Sequence, residues 1–302
     1  MALSTRAGRL TAASSGRYDH AGGREKAADG VDVNRGRSGR IGGGPVQILL
    51  TNDDGVFAPG LRALRKELRR LGEVTVIAPA VEQSGVGHSI TILNPLVVTQ
   101  VDDDDGSTLG WMVEGSPADS VKLAVCELMP RPPDLIVSGV NAGSNAGINV
   151  LYSGTVAAAI EGAFFKITSV AVSLELAEHF DYPHAAQHAV RVIERILAHK
   201  PPAGTLFNVN LPAHSRGEPK GVRAVPMGVG RYGEGFERRH DPRGRTYYWM
   251  TYAPPYHLEG PVTDVTSLCE GYITVTPLHF DLTRYDLLPE IARWDWDGRG
   301  AK

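Results

Sequence analysis

"VQILLTNDDGV" occupies residues 46–56. Val46, Ile48, Leu49 and Leu50 lie in an almost unbroken apolar run, as expected of a strand buried on both faces rather than one. The run ends in Asn52 and two adjacent carboxylates, Asp53 and Asp54, with no basic residue beside them. Like charges at a strand mouth cost free energy unless something neutralises them. Either a turn has landed there, or a cation belongs between the two acids.

Downstream, "APGLRALRKELRRLG" (58–72) places Leu61, Leu64, Leu68 and Leu71 at helical spacing. Pro59 suits its first turn, Gly72 its C-terminal stop, and its five basic residues a solvated face. "EVTVIAPA" (73–80) reads as a second strand. The stretch 89–116 alternates like antiparallel β-structure around "DDDDG" (102–106), a charged hairpin tip that lacks the ligand spacing and terminal Glu of an EF-hand loop. "SPADSVKLAVCELM" (116–129) opens a helix with Ser116 as N-cap, Pro117 at the first position and Asp119 three residues after the cap. Cys126 within it is expected to be a buried, inert thiol.

Strand "DLIVSGVN" (134–141), helix "TVAAAIEGAFF" (155–165), strand "SVAVSLE" (169–175), helix "HAAQHAVRVIERILAH" (184–199) and strand "TLFNVNLP" (205–212) continue the alternation. It implies an α/β fold: a Rossmann-like, doubly wound, mostly parallel sheet over residues 46–220. After about residue 220, "GVRAVPMG", "GRTYYWMTYA" and "GYITVTPLHF" are strand-like, with no helical pattern between the first two. Residues 221–302 are therefore expected to add an antiparallel β-hairpin and a tail to the same domain. Its aromatics Tyr247, Tyr248, Trp249 and Tyr252 serve either a subunit interface or the chain's own core.

Composition narrows the function. The chain has 302 residues, 42% apolar and 22% charged, with a net charge of −3. These values suit a globular protein and give no reason to expect a nucleic acid polymer or a membrane as partner. No apolar run approaches the ~20 residues that span a bilayer. Two cysteines are too few for a disulfide framework or a structural zinc site, consistent with a cytoplasmic setting. Residues 1–45, rich in Gly, Arg and Ser, read as a disordered tail. They lack a secretory h-region, and Asp19, Glu25, Asp29 and Asp32 argue against a transit peptide.

In an open parallel sheet, ligands bind outside the carboxyl ends of the strands. The first strand delivers Asn52, Asp53 and Asp54 there, the second leads to Ser84, and the strand 134–141 delivers Asn141. Two carboxylates, a hydroxyl and an amide oxygen are hard ligands that suit Mg²⁺ or Mn²⁺ rather than zinc. Ser153, Gly154 and Thr155 precede an alanine-rich helix whose N–H groups form an anion site, unless they only cap it. Metal beside phosphate describes phosphoryl chemistry. There is no Walker A sequence, no GxGxxG after the first strand and no GxSxG elbow, which weighs against ATPase, dehydrogenase and serine hydrolase.

"ILLTNDDGVFAPG", "VIAPAVEQSGVGHSIT", "GSPADSVKLA", "PDLIVSGVNAGSNAG", "YSGTVAAAIEG" and "EGYITVTPLHFDLT", in that order, resemble the SurE family of survival proteins. That family comprises metal-dependent nucleoside monophosphate phosphatases, called 5′-nucleotidases. The resemblance implies one divalent cation per subunit, Mg²⁺ or Mn²⁺, held by Asp53, Asp54, Ser84 and Asn141. It also implies a C-terminal hairpin exchanged within a homodimer or homotetramer. Asn52, Asn145 and Ser153-Gly154-Thr155 become the candidate substrate and phosphate contacts, and Asp53 or Asp54 the catalytic base acting on a metal-activated water. Ile148 and Asn149 replace residues that are acidic in many members, which leaves base preference open. His88 is either a substrate contact or a packing residue of its loop. Two rivals remain. An aspartyl-phosphate phosphatase of the haloacid dehalogenase type uses Asp-x-Asp, whereas here the acids are adjacent. A non-catalytic nucleotide-binding module would hold a metal–phosphate ligand without turnover.

Overall fold

The computed structural model describes residues 45–103, 105–230, 233–253 and 261–296. The tail expected over 1–45 lies outside them, Pro45 excepted. In chain order the elements are β1 (Val46–Thr51), α1 (Pro59–Leu68), β2 (Gly72–Pro79), β3 (Val98–Asp102), β4 (Thr108–Val113), α2 (Pro117–Leu123) and β5 (Leu135–Ala142). Then come α3 (Gly154–Phe164), β6 (Thr168–Leu174), α4 (Tyr182–Ala198), β7 (Leu206–Leu211) and β8 (Val222–Ala224). β9 (Gly233–His240), β10 (Thr246–Ala253), α5 (Asp264–Cys269), β11 (Ile273–Leu278) and α6 (Leu288–Ile291) complete the set.

Nine strands form one sheet in the order β3-β4-β2-β1-β5-β6-β7-β11-β8. From β4 through β7 every pairing is parallel, while β3 and β11 run antiparallel to their neighbours β4 and β7. Ile48, Leu49 and Leu50 are all fully buried, as the apolar run requires. Ile48 and Leu50 join the cluster built with α1 and α4, and Leu49 the cluster built with α2 and α3. Successive strand residues point to opposite faces, so this split is what a sheet covered on both sides demands. The chain leaves β1 toward β2 on one side and later returns to lay β5 on the other. That reversal opens a crevice at the carboxyl ends of β1 and β5.

The capping box at α2 is present: Ser116 Oγ accepts from the Asp119 N–H, and Asp119 Oδ2 accepts from the Ser116 N–H. Elsewhere local expectations need correcting. Cys126 is exposed, because the last turn of that helix widens into a π-turn over Ala124–Leu128 and rotates the thiol outward. Gly72 does not stop α1. It opens β2, where a Cβ would lie 2.1 Å from the Val46 carbonyl oxygen, so its smallness serves strand pairing.

The basic face of α1 is not wholly solvated either. Arg65 is 6% exposed, pairs with Asp103 at the acidic hairpin tip and donates to the Thr108 carbonyl at 3.2 Å. Arg62 joins Asp103 at 3.3 Å. The hairpin of β3 and β4 is thus clamped onto α1. Arg65→Met is expected to cost about 2 kcal/mol in urea denaturation, since it removes the more buried of the two guanidinium groups that meet Asp103 and the side-chain donor to the Thr108 carbonyl. Arg70→Met, which touches only Glu67 on the surface, should change stability by less than about 0.5 kcal/mol.

β8 and β11 do not belong to the antiparallel extension; they complete the main sheet beyond β7. β9 and β10 alone form a separate two-stranded antiparallel ribbon. On it Phe236, Tyr248, Trp249 and Met250 are each about 60–65% exposed and Tyr247 40%, so they do not fold back on the core. The side chain of Tyr252 lies outside the described residues. Among the described residues no helix is long and apolar enough to cross a membrane.

Candidate active site

The first turn after β1 is built from within. Asn52 is fully buried, and its Nδ2 donates to the Gly55 carbonyl at 3.0 Å. Gly55, at φ +101°, and Asn52 together fold the chain so that Asp53 and Asp54 are presented at the crevice. Asn52 is therefore a turn former beneath the site rather than a surface contact, and its Oδ1 is buried without a partner.

Asp53 is 4% exposed and faces the start of α3. Its Oδ1 accepts from Thr155 Oγ1 at 2.5 Å, and its carboxylate also accepts from the Thr155 backbone N–H. Gly154 makes this approach possible, because a Cβ there would lie 2.9 Å from Asp53 Cβ and 3.0 Å from Asp53 Oδ2. Ser153, the N-cap, accepts the Val156 N–H at 3.1 Å. The helix end expected to meet a phosphate is thus first occupied by the protein's own anion. The Gly154 N–H and the helix dipole remain to face a ligand.

Asp54 turns the other way. Its carboxylate accepts from the Ala142 N–H at the end of β5, next to Asn141. Asn141 Nδ2 donates to the Gly143 carbonyl at 2.8 Å, which commits the amide nitrogen and leaves the oxygen able to ligate. A register shift in the β5–β6 ladder between Ser138 and Asn141 re-aims this strand end.

The loop after β2 is tied to the pair through Gln83, whose N–H donates to the Asp53 carbonyl at 2.7 Å. Ser84 Oγ donates to Glu82 Oε1 at 2.6 Å, so the structure holds this hydroxyl on Glu82 rather than on the Asp pair. Burial, opposed by the Thr155 hydrogen bonds, raises the pKa of Asp53 from its ordinary value. Burial and then the charge of Asp53 push Asp54 up to about 6, with Glu82 adding to both. Among the described residues no cationic side chain pairs with either acid. The site is short of positive charge and offers only oxygen ligands, and this donor set fits a hard divalent cation.

Asn145 is a strut. Its Nδ2 donates to Ser173 Oγ at 2.9 Å and lies 3.4 Å from Thr155 Oγ1, its N–H donates to Asn210 Oδ1, and its carbonyl accepts from Asn208 and Asn210. Asp53, Thr155, Asn145 and the buried polar residues of β6 and β7 form one chain of contacts. Both amide hydrogens of Asn145 point into it, so it orients Thr155. Sequence reasoning missed Ser173, Asn208, Asn210 and Glu82. The available signal was "LFNVNL", two Asn residues two apart on one face of a buried strand. His88 bonds Glu161 at 3.0 Å and stacks on Phe164, which makes it a packing residue of its loop in this structure.

A family model described as "Survival protein SurE" matches residues 48–234. The chain belongs to the SurE family. "5′-nucleotidase SurE" of Rhodopirellula baltica is 57% identical over 251 residues, which cover 83% of this chain and 99% of the relative. "5′-nucleotidase SurE" of Desulforudis audaxviator is 45% identical over 261 residues, 85% of this chain and 100% of the relative. A solved structure, the SurE protein from Aquifex aeolicus, superposes with a TM-score of 0.72 at 38% identity, covering 81% of this chain and 98% of that one. The SurE match encloses the whole crevice, from Asp53 to Thr155, while β10 and β11 follow it.

Proposed function

We propose that this SurE-family protein is a divalent-metal-dependent 5′-nucleotidase that hydrolyses nucleoside 5′-monophosphates to nucleoside and phosphate. The observation that carries the reading is the pair of unneutralised carboxylates at the β1/β5 crevice, Asp53 buried and facing the start of α3 and Asp54 part-buried beside the end of β5. The names of its relatives support the same activity. Asp53, Asp54, Asn141 and, after its hydroxyl turns from Glu82, Ser84 would hold one Mg²⁺ or Mn²⁺. That cation supplies charge to polarise a phosphate oxygen and to activate water.

The chain's own residues do the rest. Thr155 fixes Asp53 through two hydrogen bonds, so this carboxylate is the rigid member of the pair. Asp54 has a single backbone bond and keeps the freedom to take a proton from the attacking water. The Gly154 N–H, at the positive end of α3, faces charge developing on the phosphate.

Phosphate release measured against a panel of nucleoside monophosphates tests this. We expect turnover that requires Mg²⁺ or Mn²⁺ and stops on chelation; chelator-resistant turnover, or none, would overturn it. No acid-stable phosphoenzyme should be trapped, whereas an aspartyl-phosphate route would leave one.

Association through the β9–β10 ribbon belongs to the same proposal, as a homodimer or homotetramer. A two-stranded ribbon is marginal alone in water, and this one carries Phe236, Tyr248 and Trp249 outward. Trp249→Ser with Phe236→Ser should shift the protein to monomer in sedimentation analysis. An unchanged mass would remove the ribbon from the interface.

A further inference from the structure

α4 carries His184 and His188, one turn apart and therefore on one face. Glu218 reaches the same point from the loop after β7. His184 Nε2 lies 2.9 Å from Glu218 Oε1, His188 Nε2 lies 3.3 Å from Glu218 Oε2, and the two nitrogens are 3.2 Å apart. Among the described residues these three form the one cluster of His, Cys, Asp and Glu with ligand atoms all within 4.8 Å of one another.

Hydrogen bonds alone do not account for all three contacts. If both Nε2 atoms donate to Glu218, their hydrogens face each other across the 3.2 Å gap. If one accepts from the other, it has no hydrogen left for the carboxylate. A single cation at the centre satisfies every lone pair at once. Ligands about 2.1 Å from a tetrahedral ion sit about 3.3–3.4 Å from each other; the two nitrogens are 3.2 Å apart, and the carboxylate brings one oxygen to 2.9 Å from His184 and the other to 3.3 Å from His188.

The loop is braced to present its carboxylate: Arg216 pairs with Glu175 at 2.9 Å and donates to the Cys269 carbonyl, and the Lys220 N–H donates to the Gly271 carbonyl. The histidines are mostly buried, with 22% and 17% of their side chains exposed.

We propose that His184, His188 and Glu218 form a second metal site, for a zinc-class transition cation, distinct from the oxygen-lined crevice. Two imidazoles and one carboxylate are the donor set that Zn²⁺ and Co²⁺ prefer and Mg²⁺ does not. The bound ion would staple the loop that leads to β8 onto α4.

The test uses the full chain carrying Asp54→Asn, which weakens the crevice, titrated with Co²⁺ and then Zn²⁺. We expect the intense visible bands of four-coordinate cobalt at one ion per chain, displaced by Zn²⁺. His184→Ala with His188→Ala, and separately Glu218→Gln on its exposed loop, should each weaken Co²⁺ binding at least about tenfold while leaving Mg²⁺-dependent phosphate release unchanged in the otherwise native chain. Absence of four-coordinate bands, or bands that persist unchanged in either variant, overturns the site.

Discussion

Asp54→Asn is expected to abolish nucleotide hydrolysis and, in the absence of divalent metal, to make the protein more stable. The two effects share a cause. Asp54 is held at a strand mouth by burial and by the charge of Asp53, so ionising it costs the folded state. A carboxyl whose folded pKa lies above its unfolded one imposes no penalty below the unfolded value, near 3.9. The penalty grows as pH rises toward the folded value of about 6 and is complete above it. Metal-free Asp54→Asn should therefore unfold at a higher temperature than the parent at pH 7.5, by an amount worth about 1–2 kcal/mol after allowing for solvent around a part-buried group. The two should converge near pH 4. The asparagine oxygen can still accept from the Ala142 N–H, so the turn survives. Saturating Mg²⁺ or Mn²⁺ should reverse the order, because only the parent gains stability from binding it. Thermal melts at two pH values, with and without metal, decide this. A metal-free variant less stable than the parent at pH 7.5 would contradict the account of the crevice.

Gly154→Ala is the second large effect. The new methyl would meet Asp53 Cβ at 2.9 Å, Asp53 Oδ2 at 3.0 Å and Pro117 Cγ at 3.2 Å. Oδ2 can swing away, but Asp53 Cβ is fixed to the backbone, so either the start of α3 retreats or the carboxylate rotates off Thr155. Displacement of a catalytic group by about 1 Å can cost roughly 100-fold, and we expect a loss in kcat/KM of that order. Alanine is also a better helix former than glycine, so the fold should persist, as circular dichroism would verify. Thr155→Val keeps the backbone donor and removes only the hydroxyl; a smaller loss there would separate orientation from steric displacement. Near-native turnover in Gly154→Ala would dissociate the α3 approach from catalysis.

The sheet was legible because its signals are local. A run such as Ile48-Leu49-Leu50 has no reading as a half-exposed strand, and Ser116-Pro117-Asp119 is a helix start whatever surrounds it. The acids at the crevice were legible because strand ends in such sheets converge. What escaped depends on neighbours distant in sequence. Arg65 lies four residues after Leu61 and three before Leu68, on the buried face, yet only Asp103 and Thr108 explain why a guanidinium belongs there. Gly72 looked like a helix stop because nothing in its own segment discloses the carbonyl of Val46. Asn145 looked like a phosphate contact because its partners, Ser173, Asn208 and Asn210, are contributed by two later strands. The hydroxyl of Ser84 was assigned by position in a motif, and its present bond to Glu82 is set by the conformation of a glycine-rich loop.

Among the described residues the β9–β10 ribbon pairs with no other strand, and it turns its large side chains outward. Under the proposed association, its persistence becomes a matter of mass action rather than of the sheet's own free energy. At high dilution its amides should exchange with deuterium first, while those of β1 stay protected at every concentration. On that proposal one chain contains two kinds of order: one that it makes for itself, and one that it would hold only in company.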